Sequence, residues 1–224
     1  KARGHGQRFR FVGRERAYHG MNIGATSVGG MINNVKTFAN ILMPGVVHMR
    51  HTHLPEHKFV KGQPETGADL ANDLERIATN FGAENIAACI VEPISGSTGT
   101  LVPPKGYLNR LREICDKHDI LLIFDEVITG WGRTGSSFAS KEYGVTPDLM
   151  TMAKATTNGI VPMGVVAVKE EIYDTIVNAS PDGVIELFHG YTYSGIPVAV
   201  AAALAVQDIF EKEDIFNRAK NLSS

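Results

Sequence analysis

Runs of large apolar residues that stop abruptly at a charged side chain recur along this chain. The sharpest is Ile120-Leu-Leu-Ile-Phe124, followed at once by Asp125 and Glu126. Strands buried inside a parallel sheet read as continuous runs of this kind. Ile86 to Val91 is a second run, ending at Glu92-Pro93, and Leu149 to Ala153 a third, ending at Lys154. Phe9 to Val12 and Met163 to Val168 add two further predicted strands. Between the runs the apolar spacing turns helical. Leu70, Leu74, Ile77 and Phe81 share one face of a helix predicted over Gly67 to Phe81, with acids in its first turn and Gly82 as its stop. Pro103-Pro104 opens a second helix through Tyr107, Leu108, Leu111, Ile114 and Cys115. Shorter helices are predicted over Ser137 to Tyr143 and Glu170 to Val177, and a long Ala-rich one from Pro197 toward Phe210.

The remaining stretches read as connections. Met21 to Asn34 is rich in Gly, Ser and Asn and predicts loop and turns, and Pro44 to Pro64 reads as irregular. Asp182-Gly183 marks a turn, and His189 to Gly195 a loop. There is no internal repeat. Strands alternating with helices predict an α/β fold with a mainly parallel sheet and helices on both faces. In such a sheet Glu92, Asp125 and Lys154, each at a strand's carboxyl end, meet along one edge, where open α/β sheets place their ligands.

A length of 224 residues suits one large domain or two small ones with a sizeable core. Apolar residues at 43% and charged residues at 21% exclude a disordered or fibrous chain. A net charge of −2 gives no overall pull toward nucleic acid or membrane. The first sixteen residues hold six Lys/Arg against Glu15 alone, and read as solvated positions flanking the first strand. His48, His51, His53 and His57 crowd into ten residues, but their spacing matches no helical ligand pair and no Cys lies near, so no metal is expected. Cys89 and Cys115 read as buried thiols of a reducing, cytoplasmic compartment. The chain starts at Lys1 without an initiator Met and stops just after an amphipathic segment, so both ends read as cuts through a larger protein.

A carboxylate and a lysine at neighbouring strand ends suggest one chemistry. A lysine that follows an apolar run is expected to be desolvated, and desolvation turns an ammonium toward a nucleophilic amine. Such an amine can form a Schiff base with pyridoxal 5′-phosphate (PLP), whose pyridine nitrogen stays protonated beside a buried carboxylate. Lys154 and Asp125 fit these two parts, and they also fit a plain buried ion pair.

Longer motifs separate the two readings. Phe124-Asp125-Glu126-Val127-Ile-Thr-Gly-Trp131-Gly-Arg-Thr-Gly135 and Met152-Ala-Lys154-Ala-Thr-Thr-Asn158-Gly159 resemble the signature segments of class III aminotransferases, with a similar Asp-to-Lys separation. Tyr18-His19-Gly20, Val91-Glu92-Pro93 and His189-Gly-Tyr-Thr192-Tyr-Ser-Gly195 match further motifs of that family in order. Pro103 to Arg112 and the Ser95-Gly-Ser-Thr-Gly99 loop resemble the ω-amino acid–pyruvate (β-alanine–pyruvate) group.

The resemblance implies a fold-type-I PLP enzyme, with residues 1–224 as its large domain and an N-terminal segment and C-terminal small domain lying outside them. Lys154 would form the Schiff base and act as general base, and Asp125 would pair with the pyridinium nitrogen. Val127, taken as two residues further along the strand, would pack under the ring, and Tyr18 would stack on its other face beside His19. Glu92 would lie near the cofactor's phenolic edge, and Thr192 would bind the phosphate of a neighbouring subunit's cofactor across a homodimer interface. The reaction implied moves an amino group from an ω-amino acid or amine to pyruvate.

Two departures from the family pattern stand out. Ser95-Gly96-Ser97 replaces a Gln-Gly-Glu found in many members, which argues against an ornithine- or GABA-type switch. Ile196 stands where the family often has His. The same motifs also serve class III aminomutases, racemases and decarboxylases, and a truncated domain without turnover is the remaining alternative.

Overall fold

The structure, a computed structural model, describes residues 1–222; Ser223 and Ser224, the last two residues of the expected domain, lie outside the described residues. Six strands form one sheet: β1 (Arg10–Arg14), β2 (Val46–Met49), β3 (Ile86–Val91), β4 (Leu121–Asp125), β5 (Leu149–Met152) and β6 (Val165–Val168). Their spatial order is β2-β1-β3-β4-β5-β6. β1 to β5 run parallel, and β6 returns antiparallel against β5. The chain steps from β1 outward to β2 and then crosses back to β3 on the other side. The order therefore reverses between β1 and β3, the switch point where such sheets open a ligand crevice outside their carboxyl ends.

The helices are α1 (Ile23–Val28), α2 (Ile32–Thr37), α3 (Asn72–Phe81), α4 (Tyr107–Lys117), α5 (Ala139–Glu142), α6 (Glu170–Asn178), α7 (Pro197–Lys212) and α8 (Ile215–Leu222). One face of the sheet packs under α3 and α4. Val12, Met49, Cys89, Val91, Leu122 and Phe124 meet Leu74, Ile77, Leu111 and Ile114 there, all fully buried or nearly so. The opposite face is only partly covered. Gly13 points to it, and a Cβ on Gly13 would stand 2.1 Å from the Val28 carbonyl oxygen, so the missing side chain lets α1 lie directly on β1. Leu121 and Ile123 on this second face are half-buried, although the unbroken run predicts burial on both sides. Asp125 belongs to the same face by the two-residue period of a strand.

Three stretches differ from the sequence expectation. Met21 to Asn34 contains α1 and the start of α2 instead of loop alone. Asn22 caps α1 by accepting from the Ala25 amide at 2.8 Å, and the Ser27 hydroxyl donates to the Ile23 carbonyl and accepts from the Met43 amide. Tertiary contact with β1 thus supports six residues of helix that composition argues against. Pro44 to Pro64 contains β2, a four-residue edge strand too short for its pattern to stand out. The helix expected from Pro103 begins only at Tyr107, because Gly106 before it is left-handed at φ +78.

Asp148 fastens the sheet's far half. Its carboxylate accepts from the Leu122 amide at 2.7 Å, from Arg112 at 2.8 Å and from Lys169 at 2.7 Å, joining β4, α4 and the start of α6. Burial pushes this carboxyl up, but the Lys169, Leu122 and Arg112 donors outweigh it and hold it below the usual range. A depressed carboxyl stabilises the fold above its unfolded value, about 3.9, and loses that contribution as pH falls through the folded value. Asp148→Asn is therefore expected to cost about 2–3 kcal/mol at pH 7, because Lys169 and Arg112 lose a buried charged acceptor while Arg112 keeps only the exposed Asp116 at 2.6 Å. The gap to the unsubstituted protein should narrow in urea melts taken below about pH 4. An equal gap at both pH values would remove the ion network from the account.

Candidate active site

The parallel strands bring four segments to one edge. The loop after β1 carries Tyr18 and His19, Glu92 follows β3, Asp125 ends β4, and Lys154 lies two residues beyond β5. Asp125 pairs with Thr151 in the ladder, so Lys154 leaves the adjacent strand only three residues later.

Asp125 is 7% exposed. Its Oδ2 lies 2.8 Å from His19 Nδ1, and its Oδ1 accepts from the Val127 amide at 3.1 Å. A carboxylate only accepts, so His19 Nδ1 carries the hydrogen of this bond. The His19 Nε2 is buried with no hydrogen-bond partner among the described residues. No Lys or Arg pairs with Asp125 among the described residues. A buried carboxylate with spare acceptor capacity and no Lys or Arg partner suits a positively charged ring nitrogen. This acceptor fits the pyridinium nitrogen of pyridoxal phosphate.

Glu92 is 4% exposed and ties two loops together, accepting from the Tyr18 amide at 2.9 Å and the Gly96 amide at 3.0 Å. Burial pushes its carboxyl above the usual range, and the two amides pull the other way without cancelling it. Glu92 thus fixes the backbone on which Tyr18 sits, and Tyr18 itself is half-buried.

Three expectations need correction. Val127 is not on the strand: β4 ends at Asp125, and Val127 lies in the following turn, half-buried, with its amide bonded back to Asp125. Its place beside Asp125 comes from that bond and not from strand alternation. Lys154 is exposed rather than desolvated, because it sits on a 3-10 turn (Lys154–Thr156) that leaves the sheet. α7 packs against that turn. Arg14, expected among solvated basic positions, is 1% exposed and donates to the Glu92 carbonyl at 2.7 Å and to Ser95 Oγ at 2.8 Å. Thr192 is exposed on the turn Tyr191–Tyr193 and takes part in none of these hydrogen bonds.

Arg14 and Glu126 are the residues that pattern reading misses. Glu126 is fully buried and accepts from Thr129 Oγ1 at 2.9 Å and from the Ala139 and Ser140 amides at 2.7 Å each. It caps α5 and pins the loop after Asp125. Two adjacent acids after an apolar run were its only signal. The clustered histidines engage the fold: His48 Nε2 lies 2.8 Å from the Gly29 carbonyl, and His57 Nδ1 3.0 Å from the Thr52 carbonyl. Among the described residues no group of three His, Cys, Asp or Glu is placed to hold a metal.

Known proteins resemble this chain throughout. The omega-aminotransferase of Caulobacter vibrioides is 57% identical over 99% of the chain, and the beta-alanine–pyruvate aminotransferase of Pseudomonas aeruginosa 50% identical over all of it. The chain spans about half the length of these curated relatives. Among solved structures, an (S)-enantioselective omega-transaminase from Thermomicrobium roseum matches with a TM-score of 0.87 at 40% identity, covering 96% of this chain and 47% of that one. An omega-transaminase of Pseudomonas jessenii in complex with PMP matches at 0.88 and 36% identity, covering 96% of this chain and 48% of that one. The family model for class-III aminotransferases matches residues 1–224, and with the edge of carboxylates and lysine described above this chain belongs to that family.

Proposed function

We propose that this chain carries the cofactor-binding part of a PLP-dependent transaminase that moves an amino group from an ω-amino acid or amine to pyruvate. The observation that carries the reading is the placement of Asp125 and Lys154 at the carboxyl ends of adjacent parallel strands, with Asp125 buried and free of any Lys or Arg partner among the described residues. The names of the relatives, which include a beta-alanine–pyruvate and an omega-amino acid–pyruvate aminotransferase, support pyruvate as acceptor. When bound, the cofactor supplies an aldehyde to take up the amino group and a ring to spread the electron pair left behind.

The side chains divide the remaining work. Asp125 would keep the ring nitrogen protonated, and His19 holds Asp125 by the 2.8 Å bond. Lys154 Nζ would hold the cofactor's aldehyde carbon and would take the proton from the substrate carbon that bears the amino group. Its exposure suits an amine that must be displaced by substrate and return. Val127 and Tyr18 would bound the ring on its two faces, and Glu92, which holds the Tyr18 loop, would stand near its phenolic edge. Thr192 serves the phosphate of a second subunit's cofactor, and its exposure in the single chain supports that role. We place the protein in the cytoplasm, supported by the free, buried Cys89 and Cys115. No helix among the described residues is long and apolar enough to cross a membrane.

Borohydride reduction of the full-length protein with PLP is expected to attach the label to the peptide containing Lys154; a label on another lysine overturns the assignment. With β-alanine and pyruvate, alanine should form in step with loss of β-alanine. Consumption of the amine without alanine would instead indicate a decarboxylase or mutase. Asp125→Asn should lower turnover about 10²- to 10³-fold, the usual loss when one preorganised charge partner is removed. A smaller loss measured with saturating PLP would show that another group protonates the ring.

A further inference from the structure

The lysine turn is built from backbone that side-chain-bearing residues avoid. Lys154 has φ +41 and Asn158 φ +51. Asparagine adopts such angles readily, but a lysine holds them where the surroundings over-determine them. Within the turn the Thr156 amide donates to the Ala153 carbonyl at 2.9 Å, and the Gly159 amide donates to the Lys154 carbonyl at 3.1 Å. These local bonds define the turn but do not tie it to the neighbouring strand.

The tie comes from the loop after Asp125. Trp131 Nε1 donates to Thr156 Oγ1 at 2.9 Å, and the same hydroxyl donates onward to the Ala153 carbonyl at 2.9 Å. Thr156 is buried. Trp131 is itself left-handed at φ +59, with its amide bonded to the Ser137 carbonyl at 2.7 Å and its ring edge-on to Phe138 at 5.0 Å. The Glu126 carboxylate pins both ends of that loop, at Thr129 and at Ala139-Ser140. A rigid platform on β4's exit therefore reaches the residue immediately before Lys154 on β5's exit.

We propose that Trp131 and Thr156 form a positioning pair, in which the indole N–H, relayed through the Thr156 hydroxyl to the Ala153 carbonyl, holds the left-handed Lys154 turn in register with the strand end that carries Asp125. The inference rests on the cofactor reading above and adds two residues that touch no reacting atom. Because the relay is serial, breaking it once or twice has the same consequence for Lys154.

The test uses the full-length protein and its Trp131→Phe, Thr156→Val, double and Thr156→Ser variants. PLP affinity of the apoprotein is measured by titration. Lys154 reactivity in the apoprotein is measured by competitive acetylation against pH, and melting temperature reports folding. Trp131→Phe and Thr156→Val should each weaken PLP binding about fivefold, the ratio that one net hydrogen bond is worth. The double variant should be no worse than Thr156→Val alone, and Thr156→Ser should restore nearly full affinity. The acetylation midpoint of Lys154 should move in the same variants. Additive losses, or a lowered melting temperature with unchanged PLP affinity and acetylation profile, would overturn the pair. If Thr156→Val does not fold, Trp131→Phe and Thr156→Ser decide by the same readouts. PLP failing to attach to Lys154 in the unsubstituted protein would defeat the cofactor reading instead, and the apoprotein acetylation profile would still judge the turn.

Discussion

A buried carboxylate without a Lys or Arg partner is the constraint on which the site depends. Asp125 could relax by pairing with a lysine or arginine, and the fold gives it none among the described residues. It meets an imidazole at 2.8 Å and a backbone amide at 3.1 Å, which hold it in place. Such a group is unfavourable in an empty protein and favourable beside a cationic ring. Part of the stability given up at this position is thus recoverable on cofactor binding, which is how a site prefers its ligand over water.

The scaffold makes that arrangement possible by direction. Parallel strands put all their carboxyl ends on one edge, and the reversal of order between β1 and β3 opens the crevice there. Glu92 and Arg14 then lock the loops around it: Arg14 holds the backbone of Glu92, and the Glu92 carboxylate holds the amides of Tyr18 and Gly96. On the far side Asp148 gathers β4, α4 and α6 around one carboxylate. The site therefore rests on buried polar groups held by backbone amides and carbonyls together with a few side chains, Ser95, His19, Arg112 and Lys169 among them.

Much of the strand layout is legible because long apolar runs have few alternatives. Ile86 to Val91, Ile120 to Phe124 and Leu149 to Ala153 are continuous runs, and the structure makes them β3, β4 and β5 within a residue or so at either end. The helices with a clear 3.6-residue stripe, α3 and α4, follow for the same reason. β2 and α1 are not legible, since each is too short for a period to show and each is held by a neighbour: β2 by pairing with β1, α1 by the open surface at Gly13.

The chain's own residues determined that Glu92, Asp125 and Lys154 would stand at strand ends, because a charge terminates a buried run wherever it falls. They could not determine which of those charges would be buried. Asp125 and Glu92 are enclosed while Lys154 is exposed, since the strand before Lys154 ends in a 3-10 turn at the surface. Nor could they separate Arg14 from the other early arginines, or pair Trp131 with Thr156. Those contacts join residues far apart in sequence, and only the closing of the sheet brings them within a hydrogen bond's length.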